Sequence, residues 1–110
     1  MNQARKERIG RNEALYRSIN ERIEDLNAAF GMVTETMSVV CECGRIDCTE
    51  QIELDIPAFE RVRADSAQFV VVPGHEIPEV EDVVEEHDTF SVVRKEAETV
   101  ELVEKLDERN

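Results

Sequence analysis

The spacing of apolar residues changes once along this chain, and that change constrains the fold more than any other feature. After Gly31 the apolar period is two, over residues 37–43 and 52–56, which is typical of strands with one buried face. The pattern predicts an α+β fold, with a long N-terminal helix packed on a small, mainly antiparallel sheet of four or five strands. Before Gly31 the steps alternate between three and four, which is heptad spacing, through Ile9, Asn12, Tyr16, Ile19, Ile23, Leu26 and Phe30.

The heptad stripe has two interpretations. It is typical of a single amphipathic helix lying on its own domain, and equally of a short coiled coil in which the polar Asn12 sets the register. Three heptads are near the lower limit for a coiled coil, which favours the single helix. Gly31 is a plausible C-terminal stop.

Residues 37–43 and 52–56 are the expected strands of a hairpin. Pro57 suits the first turn of a short helix that ends at Asp65 and buries Phe59 and Val62. The continuous apolar run 69–72 predicts a strand in the centre of the sheet, because both faces of such a strand are buried.

Two later segments leave alternatives open. Residues 78–94 contain apolar side chains at helical spacing, but their β-branched content slightly favours a hairpin. Residues 96–110 are mostly charged and predict either a marginal helix or a disordered tail. We therefore divide the chain into an N-terminal helix with a basic arm (1–30), a body (31–95) and an acidic tail (96–110).

The formal net charge of −13 argues against general binding to nucleic acids or anionic membranes, because the surface would repel phosphate groups. No stretch has the apolar length that spans a bilayer, and the first residues lack the apolar segment of a signal peptide. We expect a cytoplasmic location, where thiols stay reduced and structural disulfides are rare.

Three cysteines lie within eight residues, as Cys41-Glu42-Cys43 and, after Gly44, Cys48. On a strand, residues i and i+2 point to the same face, and Gly44 allows the backbone to fold back so that Cys48 returns towards them. His75 follows the turn Pro73-Gly74 and is the best candidate for a fourth ligand. Because zinc prefers four tetrahedral S and N donors, the pattern predicts a closed Cys3His zinc site that staples the sheet.

The same residues admit other interpretations. The cysteines could cluster by chance, and the fourth ligand could be water, His87 or a carboxylate. An iron–sulfur cluster is a minor option, because the two cysteines of the CxC pair are very close together. Cys41 and Cys43 could instead form a redox pair, although nearby carboxylates should raise the pKa of their thiols and make them less reactive.

The runs VVCECGRIDCTEQIEL, FERVRAD and FVVVPGHEIPEVEDVVEEHD, which follow the helix RNEALYRSINERIEDLN, resemble a family of small bacterial proteins of unknown function. The resemblance extends over almost the whole chain from Arg8 to Lys95. It implies that Cys41, Cys43, Cys48 and His75 belong to one pattern, and it implies no activity.

The sequence contains no nucleophile paired with a base, no glycine-rich phosphate loop and no recognisable carboxylate pair, so we do not expect an enzyme. We predict a zinc protein that acts as an interaction or regulatory module. The alternative is a switch in which thiol oxidation releases the zinc.

The expected partner surface is the start of the helix. Residues 1–22 carry six basic and three acidic side chains, whereas the rest of the chain carries seven basic and 23 acidic ones. Because a strand of about 17–20 Å is shorter than this helix, we expect the sheet to cover residues 19–30 and leave 9–16 projecting. The projecting end is predicted to bind an acidic protein or to form a weak homodimer, through Ile9, Asn12, Tyr16, Arg5, Arg8 and Arg11.

Overall fold

A computed structural model of the protein describes residues 1–29 and 36–109. Three helices and five strands follow in the order α1 (Gln3–Ala29), β1 (Thr36–Val40), β2 (Gln51–Asp55), α2 (Ile56–Arg63), β3 (Gln68–Val71), β4 (Glu81–Glu86), β5 (Ser91–Lys95) and α3 (Ala97–Lys105). The predicted α+β class is confirmed. Phe30 and Gly31, the predicted end of the first helix, lie outside the described residues.

The strands form two antiparallel sheets rather than one. β1 pairs with β2 as the predicted hairpin, and the second sheet has the order β3-β5-β4. The chain leaving β1 joins the two sheets, because the Cys41 N–H donates to the Glu50 carbonyl at 2.9 Å and the Glu42 N–H donates to the Val70 carbonyl at 2.8 Å. The cysteine-rich segment of the sequence therefore begins where the sheets meet.

The position of the apolar strand 69–72 differs from the prediction. β3 is at an edge of its sheet, and β5 is the central strand. The side chain and backbone of Glu42 occupy the free edge of β3, since both the N–H and the carbonyl of Val70 bond to Glu42. An edge that is covered in this way is as dry as a central strand, which explains the continuous apolar run.

The other predicted elements are present. The short helix is α2, which begins after Asp55, whose side chain accepts from the Ala58 N–H at 2.6 Å, and it buries Phe59 and Val62. Of the two alternatives for residues 78–94, the hairpin is confirmed as β4 and β5, with an irregular register between Val83 and Glu85. Of the two for the tail, the helix is present as α3, which packs on α1 and β5.

The expected buried face of α1 is wrong. Ile19 and Leu26 of the heptad stripe are exposed, whereas the helix buries a mostly polar face that shares only Ile9 with the stripe among the described residues. Burial of polar groups is compensated only where each finds a partner, and the body supplies such partners. The buried face is made of Ile9, Gly10, Glu13, Ala14, Arg17, Asn20 and Glu21.

One group of partners surrounds Lys95, which is fully buried together with Glu13 and Glu81. Its Nζ lies 2.7 Å from Oε1 of Glu13 and 3.4 Å from Oε1 of Glu81. Two carboxylates and one ammonium cannot all be charged and neutralised in a dry site. Burial, and next the proximity of Glu81, raise the pKa of Glu13 well above its ordinary value.

A second group lies around Arg63, which is buried between Glu21 of α1 and Asp107. Nη2 of Arg63 lies 2.7 Å from Oδ1 of Asp107. Although burial opposes it, hydrogen bonds from Arg63 and Ser66 hold the pKa of Asp107 well below its ordinary value. Arg17 crosses the same interface, donating to the carbonyls of Ser66 and Val103 and lying 4.7 Å above the ring of Phe69.

The expected projection of residues 9–16 is also wrong. Ile9 is buried in a small cluster with Ile77 and Val80, and Asn12 bonds to the body. The length of the strands alone underestimates how much of the helix the body covers. The loops 44–47 and 77–80 extend the body past the strand ends, and they cover the start of α1.

Candidate metal centre

The four predicted ligands come from three places in the fold and meet at one point. Cys41 and Cys43 follow β1, Cys48 precedes β2, and His75 follows β3 after the turn at Gly74. Their ligand atoms all lie within 4.8 Å of one another. The prediction that these residues form a Cys3His cluster is confirmed, and the cluster could hold a metal ion.

The distances within the cluster suit a tetrahedral ion. Nδ1 of His75 lies 3.6 Å from Sγ of Cys41 and 3.7 Å from Sγ of Cys48. A tetrahedral ion with metal–sulfur bonds of about 2.3 Å and metal–nitrogen bonds of about 2.0 Å requires S···N separations of roughly 3.5 Å. These two separations exceed that value by only a few tenths of an ångström.

Backbone N–H groups stabilise negative charge on the sulfurs. The Val72 N–H donates to Sγ of Cys41 at 3.2 Å. A hydrogen bond from Cys41 lowers the pKa of Cys43 to about 4, and the Arg45 N–H acts in the same direction. The hydrogen bond with Cys43, and next burial, raise the pKa of Cys41. Thiolates are the form that binds metals, so this environment favours ligation by Cys43, whereas an ion would have to displace the proton of Cys41.

Glu50 is a residue of the site that the sequence did not single out. Its Oε2 lies 2.8 Å from Nε2 of His75, on the opposite side of the ring from the sulfurs. A carboxylate in this position holds the proton on Nε2 and leaves Nδ1 free to ligate. The only feature of the sequence that points to Glu50 is its position two residues after Cys48, a predicted ligand.

Helix α1 supports the loop that carries the ligands. Nδ2 of Asn12 donates to the Gly44 carbonyl at 3.0 Å, and Oη of Tyr16 lies 3.5 Å from the carbonyls of Arg45 and Ile46. Gly44 has φ of 79°, and a Cβ there would lie 2.9 Å from Cγ of Glu13 and 3.0 Å from Ile9. The loop therefore requires glycine both for its backbone angle and for its contact with the helix.

Glu42, between the first two cysteines, points away from the cluster and is buried. Its carboxylate accepts from the Val70 N–H at 3.0 Å and from Nδ2 of Asn20 at 2.7 Å. Burial raises the pKa of Glu42 to about 7, against the effect of these hydrogen bonds. Asn20 also exchanges two hydrogen bonds with the backbone of Val40, so it continues the edge of β1.

The remaining candidate residues lie elsewhere. His87, an alternative fourth ligand, is exposed, stacks on Phe90 and lies 2.9 Å from Glu85. Of the predicted partner-binding residues, Ile9, Asn12 and Tyr16 contact the body as described above. Arg5, Arg8 and Arg11 are exposed.

Comparison of the chain with protein-family models, with curated protein sequences and with solved structures returns no match. Within the described residues, no helix has the length and apolar character needed to cross a membrane.

Proposed function

We propose that this chain is a small zinc protein in which Cys41, Cys43, Cys48 and His75 hold one structural ion. The observation that carries the proposal is the convergence of four ligand atoms within 4.8 Å, with a carboxylate on the far nitrogen of the histidine. Three sulfurs and one imidazole favour zinc over magnesium, calcium or manganese, which prefer oxygen ligands.

The ion would act as a staple. It would join the end of β1, the start of β2 and the end of β3, and so hold both sheets together. Structural zinc contributes on the order of 10 kcal/mol in small finger peptides, which is comparable to the whole stability of a domain of this size. Four protein ligands would leave no open position for a substrate, which favours a structural role over a catalytic one.

We propose that the stapled domain is a cytoplasmic, non-enzymatic interaction or regulatory module. Support comes from the closed ligand set and from the exposed basic side chains at the start of α1, in a chain whose remaining charge is strongly acidic. Such a basic end suits an acidic protein partner or a weak homodimer.

Elemental analysis of protein purified without chelator tests the metal centre. We expect about one zinc per chain, lost in Cys43→Ser and weakened more mildly in His75→Ala. His87→Ala is the matched control, because this exposed histidine lies outside the cluster. Metal-free native protein that melts cooperatively, or equal metal retention in all three variants, would contradict the proposal.

A thiol switch is the second candidate, because Cys48 is only partly buried and the side chain of His75 is 25% exposed. In this step hydrogen peroxide accepts two electrons from two thiolates. One disulfide forms, two protons are consumed, two water molecules leave, and Zn²⁺ is released. Titration with peroxide distinguishes the candidates: zinc release at low oxidant that dithiothreitol reverses supports the switch, whereas resistance supports the inert staple.

A further inference from the structure

A cleft of about 630 Å³ lies between the start of α1, the loop 44–47 and the segment 77–79. Three arginines and three isoleucines contribute to its lining, namely Arg5, Arg8, Arg45, Ile9, Ile46 and Ile77. The volume is within the range of clefts that take specific ligands.

The charge of this cleft is the opposite of the charge of the protein. Asp47 and Glu79 also line it, yet none of the three arginines forms an ion pair with a carboxylate of the described residues. Nη1 of Arg45 donates to the His75 carbonyl at 3.3 Å, which leaves its other N–H groups to bind an external anion. In a chain with 26 acidic side chains, three guanidinium groups that lie together without ion-pair partners form a site for such an anion.

The apolar part of the cleft argues against a bare anion. Ile46 is 82% exposed at the tip of the loop, the most exposed large apolar side chain of the described residues. Exposed aliphatic groups beside arginines are typical of protein-binding surfaces, where arginine is enriched among the residues that dominate affinity. No aromatic side chain of the described residues lines the cleft, so nothing there would stack on a nucleic-acid base.

We infer that this cleft binds an acidic peptide segment of a partner protein, with carboxylates on Arg5, Arg8 and Arg45 and an aliphatic side chain against Ile46. The inference rests on the proposed interaction function and names the partner's chemistry. Residues 44–47 are also the loop between two metal ligands, Cys43 and Cys48. Metal binding would therefore fix one wall of the cleft, and partner binding would depend on the metal.

Fluorescence anisotropy of a labelled hexapeptide of glutamate and leucine tests the inference on the full chain. We expect Arg8→Glu and Arg45→Glu each to weaken binding at least about tenfold, and Arg22→Glu, an exposed arginine of α1 outside the cleft, to weaken it less than about twofold. Ile46→Ser should also weaken binding of the peptide. Chelation of the metal should weaken peptide binding by the unmutated chain. Melting curves and zinc content of each variant show that the fold is intact.

Several outcomes would overturn the inference. Equal binding by Arg8→Glu and Arg22→Glu would show that the peptide does not bind in the cleft. If the arginine variants weaken binding but Ile46→Ser does not, and inorganic phosphate competes fully with the peptide, the cleft is an anion site only. Sedimentation showing self-association through the cleft assigns it to a second copy. If zinc-loaded protein does not bind the peptide, the inference is wrong but the metal proposal stands. If protein that holds no zinc binds the peptide through the arginines, the metal proposal is wrong and peptide binding does not depend on a metal.

Discussion

The cysteine cluster and the buried face of α1 both place polar groups in a dry interior, but they depend on different physics. The ligands of the cluster are thiols and an imidazole, and three of the four fall within eight residues. The α1 interface instead pairs ordinary charged residues that are distant in sequence, such as Glu13 with Lys95 and Glu21 with Arg63. A buried polar site is therefore visible in a sequence when its residue types are rare, and hidden when they are common.

The largest expected effect in the α1 interface is that of Lys95→Met. Removal of the ammonium leaves Glu13 and Glu81 buried without a cation, which should cost about 3–5 kcal/mol of unfolding free energy. Chemical denaturation of the metal-loaded chain measures the cost. Lys105→Met is the control, because its exposed i,i+4 pair with Glu101 is worth less than about 0.5 kcal/mol.

If Lys95→Met and Lys105→Met lower the unfolding free energy equally, the buried charged residues do not hold α1 on the body. The α1 interface would then not be a second stabilising polar site beside the cysteine cluster. Adding Glu13→Gln to Lys95→Met should recover part of the stability. That recovery separates the effect of unpaired charge from the effect of lost packing.

The two regions also differ in how far the sequence predicts them. Thiol spacing, Gly44 and the turn before His75 predict the Cys3His cluster, because a metal ion would restrict both the type and the geometry of its donors. Glu13 and Arg17 look like solvent-facing residues, since nothing local indicates that Lys95 or the Val103 carbonyl lies opposite. The heptad stripe therefore predicts most of the buried face of the helix wrongly, because the partners of its polar face are distant in sequence.

The fold shows the same division. Periodicity predicts the strands and α2 because each depends on neighbours in sequence. It does not predict how the two sheets are joined, because that junction depends on Glu42 bonding to Val70 across 28 residues. Periodicity does not predict the edge position of β3 for the same reason.

Gly44 is where the two regions touch, and Gly44→Ala should cost about 3 kcal/mol. The substitution places a Cβ at φ of 79° and within 3.0 Å of Ile9 and Glu13. Gly74→Ala is a matched control, since its φ is 91° but no heavy atom lies within 4 Å of the new Cβ, and it should cost only about 1 kcal/mol. Thermal melts compare the two variants. Equal losses of stability would show that contact between α1 and the loop 44–47 adds nothing to the cost at Gly44.

A smaller effect is expected from Glu50→Gln. The neutral side chain should weaken zinc binding about 10–100-fold, because it polarises the imidazole of His75 less. Competition with a chromophoric chelator measures the affinity. Glu53→Gln is the control, since Glu53 is an exposed residue of the neighbouring strand that does not contact the cluster. If Glu50→Gln binds zinc with unchanged affinity, the Glu50 carboxylate is a surface contact of His75 that does not support metal binding.

The smallest effect concerns pH and the interior around Lys95. Because the pKa of Glu13 is raised in the folded protein, the folded state binds more protons than the unfolded state above pH 4.5. Its contribution to stability therefore decreases as pH rises from 4.5, by at most about 1.4 kcal/mol per pH unit for one proton. Glu13→Gln holds no titrating proton and should show a shallower decrease, while Glu42, with a pKa of about 7, acts in both proteins. Urea denaturation between pH 5 and 7 measures the difference; parallel curves would mean that Glu13 is charged and fully neutralised by Lys95.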